Sequence, residues 1–558
     1  MKKKGILEAT FIVLITSYFL WFAYILIFSN YWDWDQQLSL LEIERRSWIN
    51  DFHWPLWSYQ LCGGVSRAGD PQSYGLSPLF LIPLIFGSFI GSKILVFFSS
   101  ILGFWYLRKL LLLLGYWWLP NNDSSSKNYV ATTLSLLTVF QNYFLWNFFA
   151  GHLVYLNVYL SFGVIYYLVY AYDSKLTRRD YVKATLLSIC VFAGGIQLLA
   201  LFILVPLFLF LILLVLPYLL MKKVKLRHEL LKSWSFLGLG LLVASIKFYF
   251  IVSYQNKFPR VLAAHDPEFY DPTLLLKFLF VPTQGFRFWD GSESPGPWSI
   301  WEYSFFSPLN YLFIFFLFIR MRFSKTYIQL KYSQKRLLIL WVVFGVLCVF
   351  LFLGEFSWWS PFGLLNRALF SNSIRAPVRY IFPFLLGIPF VLYFLILNLQ
   401  VRKTEYLKYF SIALLIVGLC GFNSVSDLVD KIGTEKIWNL QNSPLKMRQM
   451  TGGDPVHMYS QILMGRAMVN CYQPLSYPFL FPEVGRNDLV DLIFDSQRKE
   501  NPRCQQESYF TENDIVISPD CSSQVCVNLN AINIYKKSEF EFNTQKNRYC
   551  RKLVNLGK

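Results

Sequence analysis

MKKKGILEATFIVLITSYFLWFAYILIF, residues 1–28, decides how the rest of the chain is read. Three lysines precede an apolar run from Ile6 to about Phe28. A secretory signal has the same order of parts, but its apolar core is roughly 7–15 residues long and ends at a small-x-small cleavage site. This run is longer and no such site follows, so it reads as a retained membrane span. The composition agrees. The chain is 55% hydrophobic, 19% aromatic and only 15% charged, where a soluble chain carries about 25% charged residues. Apolar stretches long enough to cross a bilayer recur along it, which excludes a soluble multi-domain protein.

Spans are expected near 6–29, 92–114, 129–148, 153–172, 183–196, 198–220, 234–253, 308–320, 337–354, 379–399 and 407–423, about eleven in all. The fifth and eighth are short, and Gly194-Gly195 is placed to break the fifth. Ser77–Gly87 is apolar but short and holds Pro78 and Pro83, so it reads as a re-entrant or interfacial piece. The net charge of +18 does not call for nucleic acid, because the positive charges sit in short clusters between spans. Lys2–Lys4, Lys175–Lys183, Lys222–Arg227, Arg320–Arg336 and Arg402–Lys408 fall on one side if the spans alternate. That side is cytoplasmic, since short cytoplasmic loops collect Lys and Arg. The expected location is a bacterial inner membrane, with the amino terminus cytoplasmic and the carboxyl terminus extracytoplasmic.

Four large segments then face outward: 30–91, 254–307, 355–378 and 424–558. The fold class is mainly α, a polytopic helical membrane domain over 1–423 followed by an extracytoplasmic α/β or β-rich domain over 424–558. Runs such as "DIVIS" and "INIYK" carry the strand reading. That domain holds Cys471, Cys504, Cys521, Cys526 and Cys550, and Cys62 lies in the first outer loop. Cysteines gathered on the outer side suit disulfides, and their connectivity is not legible.

No Walker A loop, HExxH or GxSxG occurs, nor any fingerprint of nucleotide binding. A lipid-linked substrate reached from the membrane fits an enzyme of this kind better. The acids of "WDWD", Asp33 and Asp35, follow the first span directly, between interfacial Trp32 and Trp34. In an extended segment the two carboxylates converge; in a helix they diverge by about 200°. Arg375 and Arg379 are unusual as outward positive charges, and a guanidinium suits phosphate as well as lipid headgroups. His152 at an outer turn and Glu302 before a span are further candidates. Asp70 in "GDPQS" reads as a turn residue. Lys247 is an ionisable residue inside a span, near its outer end.

Four pieces carry a family resemblance: "DWDQQLSLLEIERRSWINDFHWPLWSYQLCGGVSRAGDPQSYGLSPLFLI", "FAGHLVYLNVYLSF" at 149–162, "WEYSFFSPLNYL" at 301–312 and "SIRAPVRYIFPFLL" at 373–386. They resemble segments of bacterial YfhO-type multi-span proteins, which are similar to the GT-C superfamily of lipid-linked-sugar-dependent glycosyltransferases. The match is scattered over roughly 30–390, and in the third piece Glu302 follows Trp301 directly. The resemblance implies transfer of a sugar from a polyprenyl-phosphate donor to a glycan, lipid or protein acceptor at the outer face. Asp33 or Asp35 would act as general base or hold a divalent metal such as Mg or Mn. Arg375 and Arg379 would bind the departing phosphate, with His152 and Glu302 in contact with substrate. The rival class is a lipid or polysaccharide transporter, and a third is a non-catalytic envelope assembly protein.

Overall fold

The computed structural model describes residues 2–28, 34–50, 52, 57–58, 65–118, 123–173, 176–194, 226–257, 275–276, 279–280, 305, 307–322, 332–364, 377–398 and 404–432, together with short strands between 508 and 552. Its helices are α1 (Lys2–Phe28), α2 (Trp34–Asn50), α3 (Leu81–Phe86), α4 (Ser88–Trp118), α5 (Ser124–Val139), α6 (Asn142–Ala150), α7 (Leu156–Asp173), α8 (Arg178–Ala193), α9 (Leu226–Lys257), α10 (Pro308–Arg322), α11 (Tyr332–Phe352), α12 (Phe382–Leu397) and α13 (Thr404–Ile432).

Five stretches among the described residues are long and apolar enough to cross a bilayer: Ile6–Ile27, Ser88–Trp117, Leu153–Ala171, Ser235–Ser253 and Arg379–Leu397. Pro308–Phe318 and Val342–Phe352 are shorter apolar helices. The protein is a helical membrane protein. Local chemistry sets where its helices start and stop. Asp123 caps α5 by accepting from the Ser126 amide at 3.0 Å. Thr177 caps α8 by accepting from the Asp180 amide at 3.2 Å. The expected third span is two helices, α5 and α6, broken at Phe140 and Gln141. Helix α6 ends at Gly151, whose φ of 96° is the left-handed conformation glycine tolerates. Ser77–Gly87 is the short piece its prolines suggest: a 3-10 turn Pro78–Phe80, then α3, then Gly87 at φ 83°. Helix α8 stops at Ala193 and the Gly194 amide donates to the Cys190 carbonyl, so the break falls at the first glycine of the pair. Helix α13 runs on to Ile432, past the boundary expected at 423.

Side-chain contacts fix the direction of most of the longer helices. Phe11 meets Tyr129, Tyr18 meets Phe140 and Phe22 meets Phe148, so α1 runs parallel to α5 and α6. Tyr155 meets Tyr143 and the Tyr159 hydroxyl donates to the Val139 carbonyl, so α7 runs back. Helix α4 is parallel to α7, with Gly103 against Tyr159 and Tyr106 against Gly163. Helix α12 starts at Tyr143 with Phe382 and reaches Gly115 with Tyr393, also running back. Helix α10 likewise descends from the level of Phe305, stacked on Tyr143, to Phe316, which meets Phe410. Helix α13 rises with α1 and α5, from Lys408 over Tyr129 to Gly418 beside Tyr18 and Leu137.

The successive long helices α8 and α9 do not alternate. Tyr181 bonds Ser235, Ser188 abuts Gly240 and Gly194 bonds Lys247, so α8 and α9 are parallel. Gly194 and Leu226 therefore lie at opposite ends of the helical layer, and the sixth expected span, 198–220, falls between them outside the described residues.

Beyond α13, β3 (Ser508–Phe510) pairs antiparallel with β4 (Ile515–Ile517). A three-stranded antiparallel sheet has the order β5 (Gln524–Val527), β7 (Arg548–Lys552), β6 (Glu541–Asn543). Nearer the amino terminus, β1 (Trp57–Ser58) pairs with β2 (Val65–Ser66).

Candidate functional site

Helix α2 begins at Trp34, so the chain is already helical at Trp34 and Asp35. Asp33 lies outside the described residues, as does the Asp35 side chain. Helix α2 is packed rather than solvated, although it belongs to an acid-rich segment expected to face outward. Trp34, Leu38 and Leu41 are buried, and so are the polar Gln36, Gln37, Ser39, Glu42 and Glu44. Burying so many polar groups is costly unless each is bonded, and the bonds explain the architecture.

Arg67 is at the centre of a dry ionic cluster. It has no solvent exposure, and its guanidinium donates to Glu44 at 2.5 Å and to Asp70. Burial alone would lower the Arg67 pKa, but the charges of Glu44 and Asp70 outweigh it and hold the pKa above its usual value. The Arg67 Nε has no partner among the described residues. The second Glu44 oxygen accepts from the Tyr74 amide at 3.2 Å. Asp70 does make the turn expected of it, accepting from the Gln72 amide at 2.8 Å, and it is also half of a buried ion pair.

Lys247 of α9 is the fourth charge. Its ammonium is fully buried and donates to the carbonyls of Ser73 and, at 2.6 Å, Gly194. The cluster thus holds two carboxylates and two cations and is formally neutral. It fastens segment 67–74 to α2 on one side and to the ends of α8 and α9 on the other. Gln37 and Gln72 add an amide–amide bond at 2.5 Å.

Two further contacts fasten α2. The Trp34 indole donates to the Phe148 carbonyl at 2.9 Å, and the Lys93 ammonium sits 3.2 Å from the centre of that indole ring, a cation–π pair strengthened by desolvation. Glu42 accepts from Arg46 at 3.0 Å and from the Ser88 hydroxyl at 2.8 Å. This places a carboxylate at the start of α4, where the helix dipole favours negative charge.

The remaining candidates are scattered around this floor. His152 sits in the α6–α7 turn with Nδ1 2.8 Å from the Asn147 side-chain oxygen. The same turn is tied to the first segment, since the Tyr74 hydroxyl donates to the Leu153 carbonyl at 2.9 Å. Arg379 is half-buried in the 3-10 helix Pro377–Ile381. Arg375 and Glu302 lie outside the described residues. Of the six sequence candidates, the structure therefore describes the side chains of His152 and Arg379 only. No group of three or more His, Cys, Asp or Glu that could hold a metal occurs among the described residues.

Sequence reasoning missed Glu44 and Arg67 and gave Asp70 only half its role. The available signal was Lys247, a lone cation in an apolar helix, which needs a counter-charge from some other segment. No family model, curated protein or solved structure matches the chain.

Proposed function

We propose that the protein is a GT-C-like glycosyltransferase that moves a sugar from a polyprenyl-phosphate donor to an envelope acceptor at the outer face of a bacterial inner membrane. The observation that carries this reading is the construction of segment 34–77. Its described parts, 34–50 and 67–77, are packed and locked by the Glu44–Arg67–Asp70–Lys247 cluster onto the helix ends, and α2 starts in the sequence "WDWD". A lipid-anchored donor keeps its reactive end near the headgroup layer, so a base at the mouth of α1 is within its reach. A rigid floor holds such a base in the geometry that the chemistry requires.

In this reading Asp33 or Asp35 takes the proton of the acceptor hydroxyl. The oxygen attacks the anomeric carbon, the bond from that carbon to the phosphate oxygen breaks, and the phosphate leaves with the electron pair. Arg375 and Arg379 face the departing phosphate, and His152 and Glu302 contact substrate. If a divalent metal takes part, Asp33 and Asp35 are its ligands. About eleven spans, the cytoplasmic amino terminus and the extracytoplasmic carboxyl-terminal domain belong to the same proposal. The helix directions support them, as does the clustering of Lys and Arg at one end of the helices.

The test is transfer from labelled lipid-linked sugar in membranes holding matched amounts of protein. Asp33→Asn or Asp35→Asn should lower the rate by about 10²–10⁴, as expected for loss of a general base. Arg375→Lys should lower it by loss of the bidentate fork. Full transfer by all three variants would place the site elsewhere. One observation favours a transporter instead: Lys247 is an ionisable group inside a span, the kind of residue that marks substrate and ion pathways. Loss of lipid export in Lys247→Met, with no transfer by wild type from any donor, would select that reading.

A further inference from the structure

We propose that Cys526 and Cys550 are joined by a disulfide across the antiparallel pair β5–β7. The pairing register sets Gln524 opposite Lys552, Val525 opposite Arg551, Cys526 opposite Cys550 and Val527 opposite Tyr549. Directly opposed residues share one face of a sheet, with Cα atoms about 4.5 Å apart in a non-hydrogen-bonded pair and about 5.5 Å in a hydrogen-bonded one. Both separations fall within the Cα range a disulfide spans, about 4.4–6.8 Å. A slip of one residue would put the two cysteines on opposite faces. The pairing therefore belongs to this register alone. Cys471, Cys504 and Cys521 are on none of the described strands.

The fold gives the bond something to do. The sheet has three short strands of four, five and three residues, about the fewest strands that can be stable on their own. A link between β5 and β7 closes the chain segment that carries β6, and β6 pairs with β7 through Glu541 opposite Cys550. One bond thus ties all three strands together.

The chemistry needs an oxidising compartment, and here the inference rests on the proposed orientation. Helix α13 runs parallel to α1, so its Ile432 end lies at the same side of the layer as Phe28, opposite the lysines at 2–4. Under the proposed orientation that side is extracytoplasmic. The step is thiol–disulfide exchange with a disulfide-donor protein of that compartment. One thiolate attacks the donor's S–S bond and forms a mixed disulfide. The second displaces the donor sulfur. The two thiol protons pass to the donor, which leaves as a dithiol carrying the two electrons.

The experiment uses the full chain in its native membrane. Free thiols are blocked with N-ethylmaleimide before unfolding, and the protein is digested without reductant for peptide mass spectrometry. The expected result is a linked Cys526–Cys550 peptide that disappears on reduction. In Val525→Cys/Cys526→Ser the thiol moves to the other face, and Cys550 should become fully alkylated. Both cysteines alkylated in wild type, Cys550 linked to Cys471, Cys504 or Cys521, or a link from the introduced thiol to Cys550 in the shifted variant would each overturn the proposal. A membrane-impermeant maleimide applied to cells carrying Cys526→Ser separates the two premises. Labelled Cys550 alongside free wild-type thiols refutes the pairing and leaves the orientation standing. Unlabelled Cys550 alongside free wild-type thiols refutes the orientation, and the disulfide falls with it.

Discussion

At the scale of single residues, the ionic cluster governs the stability of the outer segment. Glu44 and Asp70 face Arg67 directly, and Lys247 completes the balance of charge from a different helix. Removing one member of a buried set leaves an uncompensated charge in a dry site, which costs about 3–5 kcal/mol. Lys247→Met should therefore lower the unfolding midpoint of the detergent-solubilised protein markedly. Glu44→Gln/Lys247→Met restores neutrality, with Arg67 and Asp70 still paired, and should be less unstable than the sum of its single changes. Strict additivity would mean that the two groups do not share a site. Trp34→Phe makes a smaller point. It deletes the indole donor to the Phe148 carbonyl and weakens the ring under Lys93, so a loss of about 1–3 kcal/mol is expected in the same assay. An unchanged midpoint would show that neither contact matters.

Among the elements, α8 and α9 lie close together because α9 carries a glycine where they meet. A Cβ on Gly240 would come within 2.6 Å of the Ser188 Cβ and 2.9 Å of its backbone carbon. Backbone cannot yield as a flexible side chain can, so Gly240→Ala forces the helices apart, at the cost of about 1–3 kcal/mol that overpacking carries. Gly238, two residues earlier on α9, has open space for a Cβ, with nothing within 4 Å of where one would sit. Gly238→Ala should be neutral, or stabilising by up to about 1 kcal/mol through the ordinary preference of helices for Ala. Thermal unfolding of the two variants side by side is the check, and equal effects would contradict the observed interface. The glycines are plain in the sequence, but which of them faces a neighbour is set by the rotation of α9, and that depends on the fit to α8.

For the whole molecule, the decisive feature is that the successive long helices α8 and α9 are parallel. Gly194 and Leu226 therefore lie at opposite ends of the layer, and residues 195–225 between them are outside the described residues. The proposed topology predicts that a reporter fused after Lys331 reads cytoplasm and one fused after Lys558 reads the extracytoplasmic side. Both on one side would contradict that topology. The same topology places the 67–77 segment, the α6–α7 turn, Gly194 and Lys247 at one end of the layer, and the bonds among them agree on that placement.

The membrane character, most of the helix positions, the break at Gly194 and the short proline-bearing piece before Gly87 were legible in the sequence. Each follows from local composition: an apolar run longer than a bilayer is thick, a glycine without side-chain support, a proline without an amide donor. The two acids of "WDWD" stand out in the sequence too, but Asp33 and the Asp35 side chain lie outside the described residues. The ionic cluster was not. Its members come from Glu44, Arg67, Asp70 and Lys247, and no local spacing connects a carboxylate on α2 with an ammonium on α9. The break between α5 and α6 was hidden because an apolar run reads the same whether or not its helix is continuous. Only tertiary structure decided that the acid-rich segment is buried, because burying charge is tolerable only where distant partners neutralise it, and that pairing exists only once the helices have assembled.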